Sequence, residues 1–265
     1  MPGADNAGRP QFAPFGRTAE TTTWMRSNTT YHSLQTKLDK RFSNGFLLTT
    51  SYTLGRSINY WDGDSNGGIL TPANIALSRG RAEYDRLHSY VQSVVYQIPV
   101  GKQGRWLQSG PSSWILGDWQ VSGIFTAQSG IPIRFTTNAA TLRAPGNTQR
   151  PNASGTPKVL GGIGAGNEWF DTSVFSAPPD NTFGNVVRNG LLDGPAYVNL
   201  DASLAKWFTL RGDTRAEFRI DAFNATNRPQ FENPEREFGN ARFGQITTTR
   251  ADSERVITFA LRLLF

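Results

Sequence analysis

The stretch "DGDSNGG" has the spacing of the first half of a calcium-binding loop. Asp62, Asp64 and Asn66 occupy the first, third and fifth ligand positions, where carboxylate and amide oxygens bind Ca²⁺. The final position of such a loop requires a bidentate glutamate, but Ala73 stands there. Further ligands would have to come from acidic residues elsewhere, such as Glu83 or Asp85. An exposed turn rich in Gly, Asp and Asn explains the same residues without a metal. Calcium is therefore a candidate cofactor, and no other is indicated.

Four aromatic residues fall in two long segments that have no strand pattern. They are Tyr60, Trp61, Trp169 and Phe170. Aromatic side chains in loops stack on sugars or fill pockets of a partner, which makes these four candidate ligand-facing residues. They could equally pack their own loops against the rest of the protein.

Other residue patterns give no support for an enzyme. The glycines of "GGIGAGNEWF" do not match a dinucleotide or phosphate fingerprint. His32 and His88 are far apart, and the chain has no Cys, so a zinc site is not indicated. No G-x-S-x-G motif is present. The alternating charges of residues 215–221 fit the polar face of a strand better than a pair of catalytic carboxylates. We therefore expect a protein without enzymatic activity.

Composition limits the remaining classes. The net charge is +6, from 27 basic and 21 acidic residues, but the arginines are dispersed and do not form a nucleic-acid-binding patch. Apolar runs are too short for a transmembrane helix. The first residues, "MPGADNAGRPQFAPFG", do not resemble a signal peptide.

The elements that must position these residues are strands, because apolar and polar residues alternate with period two. The alternation is clearest in residues 45–55, 197–207, 214–224 and 254–265. Three further strands are predicted at 30–42, 87–98 and 115–128. No window has a long helical period with caps. The fold class is therefore all-β, with about seven strands.

The predicted connections alternate between short and long. A tight turn is predicted at Ser43–Gly45, a medium turn at 99–113 and a compact turn at Arg211–Asp213. Long loops are predicted at 59–85, 129–196 and 225–254. This layout is typical of an antiparallel transmembrane β-barrel with short periplasmic turns and long extracellular loops. A soluble or surface-attached β-sandwich that binds glycans through its loop aromatics is the alternative. Seven is an odd number, whereas single-chain barrels normally close with an even one, so an incomplete barrel, or arc, is expected.

Several segments resemble TonB-dependent outer-membrane receptors, most closely the Oar-like group with a carboxypeptidase-regulatory-like domain. They are "YHSLQTKLDKRFSNGFLLTTSYTLGRSI", "DWQVSGIFTAQSGIP", "FRIDAFNATNRPQF" and "FGQITTTRADSERVITFALRLLF". The resemblance implies a barrel of about 22 strands with a plugged lumen, energised through TonB. On this basis residues 1–28 are an extended or loop segment, and residues 29–265 are the C-terminal part of the barrel. The plug, the TonB-contacting segment and most strands would belong to the remainder of the receptor.

The last predicted strand has a feature that barrels of the outer membrane share. They finish on alternating apolar residues with a terminal aromatic, which the barrel-assembly machinery recognises. The residues that would form this assembly signal are Ile257, Phe259, Ala260, Leu261, Leu263 and Phe265. The expected location is the bacterial outer membrane. The expected partners are lipid, the assembly machinery and the rest of the receptor, and TonB would contact only that rest. No nucleic acid is expected as a partner.

Overall fold

The structure is a computed structural model that describes residues 3–9, 12–16, 28–60, 72–102, 104–145, 147–210 and 214–265. The strands are β1 (Thr30–Ser43), β2 (Phe46–Asn59), β3 (Gly80–Arg81), β4 (His88–Gln97), β5 (Trp119–Gln128), β6 (Thr136–Thr137), β7 (Asn152–Ala153), β8 (Phe175–Ser176), β9 (Tyr197–Thr209), β10 (Arg215–Phe223), β11 (Glu237–Phe238) and β12 (Val256–Leu264). The short helices are α1 (Phe12–Phe15), α2 (Pro111–Leu116) and 3-10 turns at Asp5–Gly8, Pro72–Ser78, Ala140–Leu142 and Thr172–Val174.

Seven long strands form one antiparallel sheet in the order β1-β2-β4-β5-β9-β10-β12. Each of them pairs with the next long strand along the chain, so the sheet is a simple meander. The seven predicted strands are confirmed. β5 begins at Trp119, later than the predicted 115, because residues 111–116 form α2. Among the described helices, none has the length and hydropathy to cross a membrane.

The sheet is open, and β1 and β12 are its edges. With seven antiparallel strands the two edges run in the same direction, so they cannot pair antiparallel with each other. This agrees with the predicted arc.

The register gives the sheet one apolar face along its whole width. Directly paired residues share a face, and the pairs connect apolar side chains from strand to strand. The face includes Leu34, Leu38, Leu48, Leu54, Val94, Val121, Phe125, Leu200, Leu204, Ile220, Phe259 and Leu261.

The opposite face is predominantly polar. It carries Ser33, Gln35, Thr49, Ser51, Thr53, Ser93, Ser122, Thr126, Asn199, Asp201, Ser203, Glu217, Arg219, Asp221, Thr258 and Arg262. Leu47, Val91, Val95 and Ile124 are among its apolar exceptions. A one-residue slip would exchange the two faces, so this segregation fixes the register.

The turn between β1 and β2 consists of Asn44 and Gly45, with φ of 51° and 77°. Positive φ at both positions defines the hairpin turn whose twist matches the flanking strands, and Asn-Gly is its preferred sequence. The predicted hairpin is therefore confirmed.

Candidate functional site

Three long connections meet at one end of the sheet, as antiparallel pairing requires. They join β2 to β4, β5 to β9 and β10 to β12. We call these connections together the loop cap. Its first loop is the described part of residues 60–87, its second loop that of 129–196, and its third loop that of 224–255. The connections at the opposite end are shorter, and we call that end the short-turn end.

The loop cap has its own hydrophobic core. Ile133, Phe135, Trp169, Phe170, Phe175, Val186 and Ile246 are buried there and are contributed by the second and third loops. Phe135, Phe170, Phe175 and Phe243 pack with ring centroids 4.7–6.2 Å apart, mostly edge to face. Aromatic pairs of this kind contribute about 0.5–1.5 kcal/mol each beyond the area they bury. The described part of the cap is therefore a packed unit.

Backbone hydrogen bonds join the second and third loops around this core. The Trp169 N–H donates to the Gly244 carbonyl at 2.8 Å, and the Gly164 N–H donates to the Ile246 carbonyl at 2.9 Å. β6 also pairs in parallel with β11. Backbone groups that would otherwise be buried without partners are thereby satisfied.

Arginine side chains join the first and second loops. Arg188 donates from Nη1 to the Asn59 Oδ1 at 2.9 Å and to the Ser78 carbonyl at 3.2 Å. Arg150 donates to the Leu77 carbonyl at 2.5 Å and to the Val186 carbonyl at 2.9 Å. The planar guanidinium suits this use because its several donors point in fixed directions.

Acidic residues balance part of this positive charge. Arg81 donates to Asp85 at 2.7 Å and to Asp193 at 2.5 Å, and Arg134 donates to Glu83 at 3.2 Å. Asp85 is buried and also accepts the Ser57 N–H at 2.7 Å. Glu83 and Asp85, the two acidic residues of the first loop that the structure describes, therefore pair with arginines.

Arg150 is buried close to two other arginines, and this environment lowers its pKa. Burial is the main cause that lowers the pKa of its guanidinium to about 10, and repulsion by Arg134 and Arg188 adds to it. Arg150 nevertheless remains protonated at neutral pH, and its charge strengthens the bonds to the two carbonyls.

Two of the four predicted ligand-facing aromatics are buried. Trp169 is 8% and Phe170 0% exposed, because both rings belong to the core of the loop cap. Of the two alternatives, packing within the loops therefore holds for Trp169 and Phe170, and neither ring is exposed to a ligand. Tyr60 is half-buried at the end of β2, and Trp61 lies outside the described residues.

The predicted calcium residues Asp62, Asp64 and Asn66 lie outside the described residues. Within the part of the chain that the structure describes, no three His, Cys, Asp or Glu residues come together as a metal site. Glu83 and Asp85, the suggested further ligands, contact arginines instead.

The charged residues of β10 lie on the polar face as predicted. Arg215, Glu217, Arg219 and Asp221 alternate with Ala216, Phe218, Ile220 and Ala222. Arg219 pairs with Asp221 at 2.7 Å and also donates to Ser203 on β9. These contacts form a polar ladder across neighbouring strands. His32 and His88 lie on β1 and β4 with β2 between them, and His88 contacts Tyr52 at 2.9 Å.

At the short-turn end, the polar face borders a cavity of about 790 Å³. Gln97, Gln120, Trp207 and Arg215 line it from the strands. The β4–β5 connection contributes Ile98, Pro99, Val100, Lys102, Gly104, Arg105 and Trp106. The cavity is open, and its lining combines indole rings with cationic side chains.

The predicted assembly residues lie on β12 or directly after it. Ile257, Phe259, Leu261 and Leu263 project from the apolar face and are at least half exposed, while Ala260 pairs with Arg219 on the polar face. Phe265 is 96% exposed. The alternation expected from the sequence is thus present.

Sequence reasoning missed the residues that hold the loop cap together. In the sequence, Arg150 and Arg188 are two of many dispersed arginines, and Phe135, Phe175 and Phe243 belong to no motif. The available signal was the density of Phe in segments without strand periodicity, which indicates that such segments bury a core of their own.

A family model described as an outer membrane beta barrel domain matches residues 2–258. No curated protein and no solved structure matches the chain.

Proposed function

The chain belongs to the outer membrane beta barrel domain family, and on this basis we propose that it forms part of the wall of a TonB-dependent receptor in the bacterial outer membrane. In this role it supplies seven wall strands, a loop cap that faces the outside, and a strand that the assembly machinery recognises. It carries no covalent chemistry.

The apolar face of the sheet carries this proposal. It contains many large side chains that are half exposed or more, among them Leu34, Leu38, Phe259 and Leu261. Water-soluble proteins seldom expose such a continuous apolar surface. In the described ranges the other two sheets have only two strands each, so neither covers this face as the second layer of a sandwich would. Contact with lipid would remove the free-energy cost of exposing this apolar face to water.

Strand length supports the same placement. The seven long strands contain 9 to 14 residues. A tilted strand needs about 9–11 residues to cross the hydrocarbon core. The polar face then lines the lumen, where the Arg219–Asp221 pair contacts water and solutes.

Transport, in this proposal, follows the mechanism implied by the resemblance to TonB-dependent receptors. A ligand binds above the loop cap, and its passage along the polar face is controlled by a plug that TonB moves. The plug and the strands that pair with β1 and β12 belong to the remainder of the receptor. The cavity at the short-turn end is bordered by the polar face and is available to such a plug.

The ligand-facing surface is formed by the exposed residues of the loop cap, because the cap core is already filled. Tyr84, Leu160, Ile163 and Val187 are exposed apolar residues of the first and second loops. They replace Trp169 and Phe170 as the proposed contacts, together with Tyr60. Such residues suit a ligand with apolar groups.

Cysteine labelling tests the orientation, and the absence of native Cys makes each introduced thiol unique. Val187→Cys places a thiol on the loop cap, and Ser109→Cys places one at the short-turn end. A membrane-impermeant maleimide should label Val187→Cys in intact cells and Ser109→Cys only after permeabilisation. Equal labelling of both in intact cells, or recovery of the chain in the aqueous fraction, would contradict the proposal.

Dependence on TonB needs a separate experiment. Mass spectrometry of the growth medium compares the parent strain with strains that lack this gene or lack TonB. The compounds left unconsumed without this gene should be among those left unconsumed without TonB. A compound that depends on this gene but is consumed normally without TonB would remove the TonB-dependent part and leave the barrel assignment intact.

A further inference from the structure

The β4–β5 connection at the short-turn end exposes a compact group of apolar side chains. Trp114, Ile115 and Leu116, the last three residues of α2, are 65%, 59% and 55% exposed. Trp106 and Leu107 of the same connection are also exposed. α2 is too short to be stable by itself, so its position depends on contacts with the sheet.

Those contacts attach α2 to the apolar face of the sheet. The ring of Trp114 lies 5.6 Å from that of Phe208, measured between centroids, and Phe208 belongs to the apolar face through its pairing with Ala216. The Trp119 Nε1–H donates to the Ile115 carbonyl at 3.1 Å. The exposed side chains of α2 therefore continue the apolar face beyond the ends of β5 and β9.

Lys206 explains why the connection folds over this position. It lies on the apolar face opposite Trp119, where a bare ammonium would be costly beside lipid. Its Nζ donates to the Gly117 carbonyl at 2.5 Å and lies 5.0 Å from the ring centroids of both Trp119 and Phe208. The end of α2 thus covers the Lys206 ammonium, and the exposed side chains at this position are those of Ile115 and Leu116.

The charge of the connection complements a phospholipid surface. The connection, residues 98–118, contains two cations, Lys102 and Arg105, and a single acidic residue, Asp118, whose charge acts on Lys206. Both cations are exposed, and both also line the cavity at the short-turn end. Indole rings together with cationic side chains are typical of segments that lie in the headgroup region, where each has a favourable partner.

We propose that α2 is an interfacial anchor, which inserts Trp114, Ile115 and Leu116 into the phospholipid leaflet at the short-turn end. Lys102 and Arg105 contact the lipid phosphates. The anchor extends the lipid contact of the barrel beyond its strands and fixes the depth of the sheet in the bilayer. The inference rests on the membrane placement in the proposed function, and the experiment below separates the two.

Lipid quenching of single fluorescent probes tests the anchor in the full chain, folded into vesicles of phosphatidylcholine and phosphatidylglycerol. The probes are attached at Ile115→Cys, at Val94→Cys in the middle of the apolar face, and at Val187→Cys on the loop cap. Nitroxides near the headgroup should quench the Ile115 probe most, deep nitroxides should quench the Val94 probe, and neither should quench the Val187 probe.

Each other result has a definite meaning. Quenching at Val94 without quenching at Ile115 would overturn the anchor and leave the proposed function standing. Absence of quenching at both would overturn both. Protection of the Ile115 probe that increases with the protein-to-lipid ratio would identify a second copy as the occupant and overturn the lipid assignment.

A charge variant tests the headgroup contact. Phosphatidylglycerol should increase quenching at Ile115 relative to pure phosphatidylcholine, and Lys102→Gln with Arg105→Gln should remove most of that increase. Lys158→Gln with Arg242→Gln on the loop cap is the matched control and should leave it unchanged. An increase that survives loss of Lys102 and Arg105 would overturn the phosphate contact.

Discussion

At the scale of single residues, the loop cap is stabilised by two kinds of contact that differ in their sequence signal. Phe135 and its neighbours bury aromatic area, while Arg150 and Arg188 donate hydrogen bonds to carbonyl oxygens of another loop. Neither kind has a period along the chain, because the partners come from loops that are distant in sequence. This is why the sequence alone could not decide whether Trp169 and Phe170 are buried or exposed.

Phe135→Ala tests the aromatic core. Phe135 is fully buried and contacts the rings of Phe170, Phe175 and Phe243. Truncation leaves a cavity and should lower the free energy of unfolding by about 3–5 kcal/mol. Urea unfolding in detergent micelles measures it. Phe15→Ala, at a largely exposed position, is the control and should change it by less than about 0.5 kcal/mol. Equal effects would show that the cap core does not contribute to stability.

Arg188→Met tests the bonds between the first and second loops. The variant keeps a long side chain but leaves the Ser78 carbonyl without this charged donor. The expected loss is about 1.5–3 kcal/mol, with faster thermolysin cleavage in the first loop. The exposed Arg242→Met is the matched control. Cleavage rates that are the same in both variants would contradict the role of Arg188.

At the scale of elements, the strands were predictable because they repeat every two residues and one face avoids water. The Asn44–Gly45 turn was predictable because positive φ at two positions restricts the sequence. β5 was predicted to begin too early, since the apolar residues of α2 have no clear strand or helix period. Tertiary contacts explain their position, namely the ring contact between Trp114 and Phe208 and the hydrogen bonds that Trp119 and Lys206 donate to the end of α2.

Gly45→Ala tests the turn. A Cβ at Gly45 would lie 2.8 Å from the Gln97 carbonyl oxygen, and its φ of 77° disfavours any L side chain. The left-handed conformation alone should cost about 1–2 kcal/mol, which urea unfolding would detect. A Cβ at Gly155 would meet no atom within 4 Å, so Gly155→Ala should be neutral. Comparable loss in the two variants would contradict the assigned turn geometry.

Val94→Arg and Ser93→Arg test the two faces at nearly the same depth. Val94 lies on the apolar face and Ser93 on the polar face of β4. Arginine on the lipid side should cost about 2–4 kcal/mol near the midplane, and arginine on the lumen side much less. The folded fraction in vesicles measures the difference. Equal tolerance of both substitutions would show that the faces are not in lipid and water.

At the scale of the whole molecule, the sheet and the loop cap bury their apolar residues in different ways. The sheet exposes an apolar face that requires lipid, whereas the cap buries its own core and needs none. The general architecture could be predicted from alternation and loop lengths. The packed cap could not, because its contacts arise only when the meander brings three loops to the same end.

The most direct measurement of the central claim is a nitroxide scan of β9 in phospholipid vesicles. Val198, Leu200, Ala202 and Leu204 lie on the apolar face, and Asn199, Asp201 and Ser203 lie between them on the polar face. Collision with oxygen, which concentrates in lipid, should be high at the first set. Collision with a water-soluble nickel complex should be high at the second set. This opposed alternation with period two is the predicted result. Uniform access of the nickel complex along β9 would contradict a membrane wall.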